Sequence, residues 1–315
     1  MATSKSTDFI RKFIHLPPET KDEGGSISTY SKPRFLGCGR PWLFFLVIFI
    51  GFSKIFASVS EAKPLIASQR GQTRGVTALA AYAVDYTNRK ILFSRNVRMK
   101  FHPASTAKLL TALVVLDHKK LSDRVVVSRH AVSVMPSKAD LTLGAAYSVE
   151  DLLKVLLAAS ANDAAVALAE DVAGSESNFA VLMNKKAKSL GVRDSFFTNS
   201  TGLPDERQVT TAYDLTMIVR AALSQPFIAS VMRQKSIRIS GSDSKNIQKF
   251  NHNKLLWRVS YPCVLGKTGY TRAAGHCYAG IAMYNDRRVS VVILKSRKPW
   301  ADLTYLLGIT NRRQR

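Results

Sequence analysis

Strand-like segments stand at two well-separated places in this 315-residue chain, and the stretch between them reads as helix. Residues 79–85 and 90–94 have the pattern of a first hairpin around Thr87-Asn88-Arg89, although alanines weaken its first arm. Helical patterns run from Ser105 to about Arg233. Ser148 is placed to cap one helix with Asp151 three residues on, Ser177 to begin another that Gly191 ends, and Thr211 to begin a third. Strand patterns return at 236–240, from Cys263 onward, at 276–284 and at 288–294, and a last helix follows Pro299. Strands at both ends with helices between predict an α/β (α+β) fold. One antiparallel sheet is closed by the two ends of the domain and carries an inserted helical subdomain, with a cleft at the seam.

Three short motifs follow one another on this framework: Ser105-Thr106-Ala107-Lys108, Ser160-Ala161-Asn162 and Lys267-Thr268-Gly269. The first two patterns also occur elsewhere, as Ser60 to Lys63, Ser242 to Lys245, Ser94 to Asn96 and Ser244 to Asn246, so only context separates them. Ser105 opens an apolar run free of Gly and Pro, with Pro103 just upstream where a helix start tolerates it. At i and i+3 of a helix Lys108 can reach the Ser105 hydroxyl. Such a lysine acts as a base only if burial or a nearby cation favours its neutral form, and Lys267 is a candidate for that cation. The helix start also leaves free N–H groups beside Ser105 that can stabilise an oxyanion. The Lys267 motif follows the strand-like 263–265. There Gly269 would let a substrate backbone lie close to the strand edge, and Lys267 with Thr268 would hold a terminal carboxylate.

With these motifs the chain resembles the low-molecular-weight penicillin-binding proteins, the serine-type D-alanyl-D-alanine carboxypeptidases of peptidase family S11. The likeness runs from about Thr77 to Gly308. It includes Asn96 with Lys100, Pro103-Ala104 before the first motif, 158–165, Asn199-Ser200-Thr201-Gly202-Leu203-Pro204, Asn251-x-Asn253 and 267–275. It implies the DD-peptidase/serine β-lactamase-like fold. It also implies Ser105 as the nucleophile, Lys108 as its base, Ser160 as a proton relay, Asn162 on the substrate amide, and Lys267 on the carboxylate of the departing D-alanine. The backbone N–H groups of Ser105 and Tyr270 would form the oxyanion hole. A further basic grip on the carboxylate has candidates in Lys295, Arg297 and Lys298 without a clear alignment. The substrates implied are peptidoglycan stem peptides, with β-lactam antibiotics as covalent inhibitors. A D,D-endopeptidase acting on cross-links would use the same residues. A β-lactamase of class A would need Glu-x-x-Leu-Asn after the second motif, which this chain lacks, and a catalytically idle wall-binding protein would have no reason to keep all four reactive side chains.

The rest of the chain fits an exported enzyme. Residues 1–40 are polar and Ser/Thr-rich and read as a disordered cytoplasmic leader or an upstream extension. Within 41–62 an uncharged apolar run of eleven residues, 42–52, follows Lys32, Arg34 and Arg40 and reads as a signal peptide or a signal anchor. Residues 63–315 form the catalytic domain, with no C-terminal β-domain expected. This places the enzyme in the periplasm or on the outer face of the cytoplasmic membrane. Its 46 Lys and Arg against 22 Asp and Glu include only eight and five in the first 62 residues, so the remainder, 38 against 17, stays near +21. Such a surface is drawn to anionic envelope polymers and lipids, whereas no nucleic-acid module appears. The six histidines lack zinc spacing, with His102, His118 and His276 read as packing or surface residues, and no metal or organic cofactor is implied. Cys263 and Cys277 should remain free thiols, because a hairpin turning near Ala273 places Cys263 opposite residue 283.

Overall fold

The computed structural model describes residues 75–257, 264–284 and 287–312. The leader, the apolar run at 42–52 and Cys263 lie outside them.

β1 (Ala80–Asp85) and β2 (Ile91–Arg95) form the first hairpin. A 3-10 turn (Ala104–Ala107) then leads into α1 (Lys108–His118). The helical insertion continues with β3 (Arg124–Val126), α2 (Arg129–Ser133), β4 (Ala146–Ser148), α3 (Val149–Ala158), α4 (Asn162–Ala173), α5 (Glu176–Ser189), α6 (Ala212–Ser224) and α7 (Pro226–Arg233). The chain returns through the hairpin β5 (Ser236–Ser240) and β6 (Asn246–Phe250) and a 3-10 turn (Lys254–Trp257). It ends with β7 (Val264–Thr271), β8 (Gly275–Tyr284), β9 (Arg287–Ser296) and α8 (Pro299–Arg312). The main sheet is antiparallel in the order β2-β1-β9-β8-β7, so the first strands join the last ones beside β9, as the sequence pattern requires.

Both faces of this sheet are covered. Tyr82, Leu265, Cys277, Ala279, Val292 and Leu294 pack toward the helical insertion, while their neighbours Ala81, Val264, Tyr278, Val291 and Ile293 pack toward Leu303, Leu306 and Leu307 of α8. The alanines that made β1 a weak strand in sequence are explained by this burial: β1 is an inner strand, and Ala80, Ala81 and Ala83 are fully enclosed between two layers.

Helix starts follow local chemistry. The Ser148 hydroxyl accepts from the N–H of Asp151 and that of Thr211 from Asp214, as predicted. The predicted start at Ser177 is corrected: Ser175, in an extended conformation, caps α5 by accepting from Asn178, and Ser177 lies inside the first turn. The hairpin of β7 and β8 has Val264 opposite Ala282 and Gly269 opposite Cys277, and Cys277 is a buried free thiol. The short hairpins β3–β4 and the strand β6 had no sequence forecast, being only three to five residues long. Among the described residues no single helix is long and apolar enough to cross a membrane.

Candidate active site

The three motifs converge where the helical insertion meets the edge of the sheet. Ser105 sits in the 3-10 turn and not in the α-helix proper, a correction that improves the geometry: with three residues per turn, i and i+3 eclipse. Lys108 Nζ accordingly lies 3.2 Å from Ser105 Oγ. The lysine is fully buried and donates also to Asn162 Oδ1 at 2.6 Å and to the carbonyl of Thr201 at 2.5 Å. Burial first, and then the charge of Lys267, hold its ammonium well below the ordinary lysine range, while Glu176 and Asp163 act in the opposite direction.

Ser160 and Asn162 come from the break between α3 and α4. Ser160 takes a left-handed conformation, φ 62°, and Asn162 begins α4. Asn162 borders the pocket, yet both ends of its amide are engaged, Oδ1 by Lys108 and Nδ2 with the carbonyl of Met135 at 2.7 Å. Its neighbour Asp163 is buried and accepts from the N–H groups of Ala139, Asp140 and Leu141 at 2.9, 2.9 and 3.2 Å, which pins the chain just after Pro136 and Ser137 of the pocket wall.

The opposite wall is β7, which pairs with β8 on one side only. Lys267 is 1 % exposed and donates to the carbonyl of Thr268 at 3.0 Å; desolvation pushes its pKa down to about 7. Gly269 lines the pocket and also makes room within the protein itself. A Cβ there would stand 2.8 Å from the N atom of Ser105 and 2.9 Å from the Ala104 Cβ, so its missing side chain admits the nucleophile's own backbone. That contact sets the N–H of Ser105 beside the residue preceding Tyr270. The Tyr270 ring is exposed and stacks on His276, centroids 4.5 Å apart.

A pocket of about 350 Å³ opens here, lined by Ser105, Ser160, Asn162, Thr268, Gly269 and Tyr270. Lys108 and Lys267 are buried behind this lining and are not part of it. Lys295, Arg297 and Lys298 do not line the pocket; the backbone N–H groups of Arg297 and Lys298 donate to Thr77 Oγ1 instead. Of the histidines, His102 and His118 bond backbone carbonyls, whereas His276 and His252 border the pocket. His252 escaped the sequence reading. Desolvation and the charges of Lys267 and Lys108 hold its imidazole down to about 4. Among the described residues no group of three or more His, Cys, Asp or Glu side chains is placed to hold a metal ion.

The motifs resembling family sequences turn out to be braces. Asn199 Oδ1 accepts from the Gly202 N–H and the Thr201 hydroxyl, and Asn253 Nδ2 donates to the carbonyl of Val264 at the start of β7. The family model of D-alanyl-D-alanine carboxypeptidases, peptidase S11, matches residues 67–298. The chain belongs to this family. It is 33 % identical over 228 residues to the D-alanyl-D-alanine carboxypeptidase DacF of Bacillus subtilis, covering 70 % of this chain and 58 % of that one. It is 32 % identical over 242 residues to the D-alanyl-D-alanine endopeptidase of Escherichia coli, covering 76 % and 77 %. The chain thus spans less than two thirds of the Bacillus relative. Among solved structures, the D-alanyl-D-alanine carboxypeptidase of Mycobacterium tuberculosis H37Rv superposes with a TM-score of 0.70 at 28 % identity, covering 75 % of this chain and 92 % of that one. The Streptomyces K15 DD-transpeptidase gives 0.68 at 26 %, covering 75 % and 96 %. The S11 chain therefore has the penicillin-binding DD-peptidase fold, as its sequence pattern and motifs predicted.

Proposed function

We propose that this S11 protein is a serine D-alanyl-D-alanine carboxypeptidase that removes the terminal D-alanine from peptidoglycan pentapeptide stems. The observation that carries the reading is a serine hydroxyl at a pocket wall, 3.2 Å from a fully buried lysine whose neutral form is favoured. Lys108 takes the Ser105 proton as Oγ attacks the carbonyl of the penultimate D-alanine. The N–H groups of Ser105 and Tyr270 receive the oxyanion. Ser160 passes a proton to the amine of the departing D-alanine, which breaks the C–N bond and leaves an ester on Ser105; water then hydrolyses it. Lys267 and Thr268 attract the terminal carboxylate. A penicillin presents the same carbonyl and carboxylate and acylates the same hydroxyl.

D-alanine release from a pentapeptide ending in D-Ala-D-Ala tests the reading, with the full chain beside its Ser105→Ala variant. Release and covalent penicillin labelling should both vanish in the variant. Labelling of the wild type without release would move the assignment to cleavage of cross-links. That second reading is supported by the Escherichia coli endopeptidase, of which the chain covers 77 %. The apolar run at 42–52 and the basic balance support an enzyme on the outer side of the cytoplasmic membrane, held near anionic envelope surfaces.

A further inference from the structure

Glu176 lies outside the pocket lining and takes no part in the steps above, yet one line of contacts joins it to the nucleophile. It is the first residue of α5, next to the capping Ser175. Its Oε1 accepts from both the N–H of Ser200, at 3.1 Å, and the Ser200 hydroxyl, at 2.6 Å. Ser200 is fully buried, and its carbonyl accepts from Thr111 Oγ1 of α1 at 2.7 Å. The next carbonyl, that of Thr201, accepts from Lys108 Nζ. The residue after that, Gly202, has φ 79° and lies so close under the Ser105 turn that a Cβ would come within 1.9 Å of the Ala104 oxygen. The 199–202 loop is therefore the bed on which the lysine and the serine turn rest, and one carboxylate grips it from behind.

We propose that Glu176 is a positioning residue for acylation: it holds the loop that fixes Lys108, and it places a negative charge facing that lysine. The proposal rests on Lys108 being the base that activates Ser105. The groups facing Lys108 are Ser105 on its own turn, Asn162 and Asp163 from α4, Glu176 from α5, Lys267 from β7 and His252 from the loop after β6. Of the two carboxylates, Asp163 is occupied with the 139–141 loop, so Glu176 is the one whose hydrogen bonds lead to the lysine's acceptor.

Two substitutions separate the geometric part from the electrostatic part. In Glu176→Gln the amide oxygen can accept the same two bonds while the charge is gone; in Glu176→Ala both are lost. The measurement is the rate of Ser105 acylation by a fluorescent penicillin against pH, on the full chain. Glu176→Gln should keep the plateau rate within about twofold, and its acid limb should move to lower pH, because removing a negative charge beside an ammonium favours the neutral base. Glu176→Ala should lower the plateau by about tenfold or more, since the buried Ser200 hydroxyl and N–H lose their acceptor and the loop relaxes. Asp163 and Lys267 are unchanged in both variants, so the displacement reports Glu176 alone. A Glu176→Gln profile superimposable on wild type would overturn the electrostatic role, and a Glu176→Ala plateau equal to wild type would overturn the positioning role. A wild-type protein that takes no label would instead sink the assignment of Ser105 and Lys108 themselves.

Discussion

On the helical wall of the cleft Lys108 Nζ donates to Ser105 Oγ, Asn162 Oδ1 and the Thr201 carbonyl, whereas on the sheet wall Lys267 Nζ donates, among the described residues, to the Thr268 carbonyl alone. Both side chains are buried to within 1 % of complete enclosure. The difference lies in how the cost of that burial is met. Contacts with Asn162 Oδ1, the Thr201 carbonyl and Ser105 Oγ fix the position of Lys108, and burial first, then the charge of Lys267, favours its neutral form, which can donate to the first two and accept from the serine hydroxyl. Lys267, with one such contact among the described residues, is the less constrained of the two in a desolvated place, which supports its proposed role of drawing in a terminal carboxylate. In the proposed mechanism a firmly held base and a carboxylate site are the two demands of one reaction, and the two lysines stand on different walls.

The largest test of this contrast is Lys108→Met, which keeps length and removes the base. Penicillin acylation should fall by about 10²–10⁴-fold, the usual contribution of a positioned general base. A loss below tenfold would show that another group takes the serine proton.

Lys267→Met should act on recognition more than on chemistry. KM for a peptide with a free terminal carboxylate should rise by about 10–100-fold, as expected for a lost charge-assisted hydrogen bond, while an amidated peptide should change little. Equal effects on both peptides would remove the carboxylate role.

A smaller effect should appear in stability against pH. The folded pKa of Lys267, about 7, lies below its ordinary 10.5, so the unfolded chain binds more protons between these values and stability rises as pH increases from about 7 to 10.5. Lys108 contributes with the same sign. Thermal unfolding of Lys267→Met should show a flatter rise across that window; an unchanged slope would mean that Lys267 does not titrate there.

Much of this was readable in advance because it depends on local pattern. Strand alternation, the capping residues Ser148 and Thr211, and the order of three motifs each need only near neighbours in sequence. What escaped reading depends on distant partners. That Gly269 also admits the nucleophile's backbone was not readable, because nothing in the chain announces that residue 105 will press there. Glu176 and Asp163 stand in first helical turns, where an acidic residue complements the helix dipole, and nothing in the sequence signals that each also holds a loop more than twenty residues away. The cap of α5 moved from Ser177 to Ser175 because either serine can accept from the third N–H on, and the backbone path into the helix chooses between them.

The amino-acid sequence by itself determined the family, the order of sheet and helices, and which serine and lysines stand in the motifs, since these follow from residue type and spacing. Only the tertiary structure decided that Lys108 meets three partners where Lys267, among the described residues, meets one, that Asn162 holds the lysine, and that Glu176 reaches the site through the Ser200 loop. Hydrogen-bond saturation and desolvation are properties of three-dimensional neighbourhoods, and residues 93 positions apart, like Lys108 and Thr201, become neighbours only when the chain closes on itself.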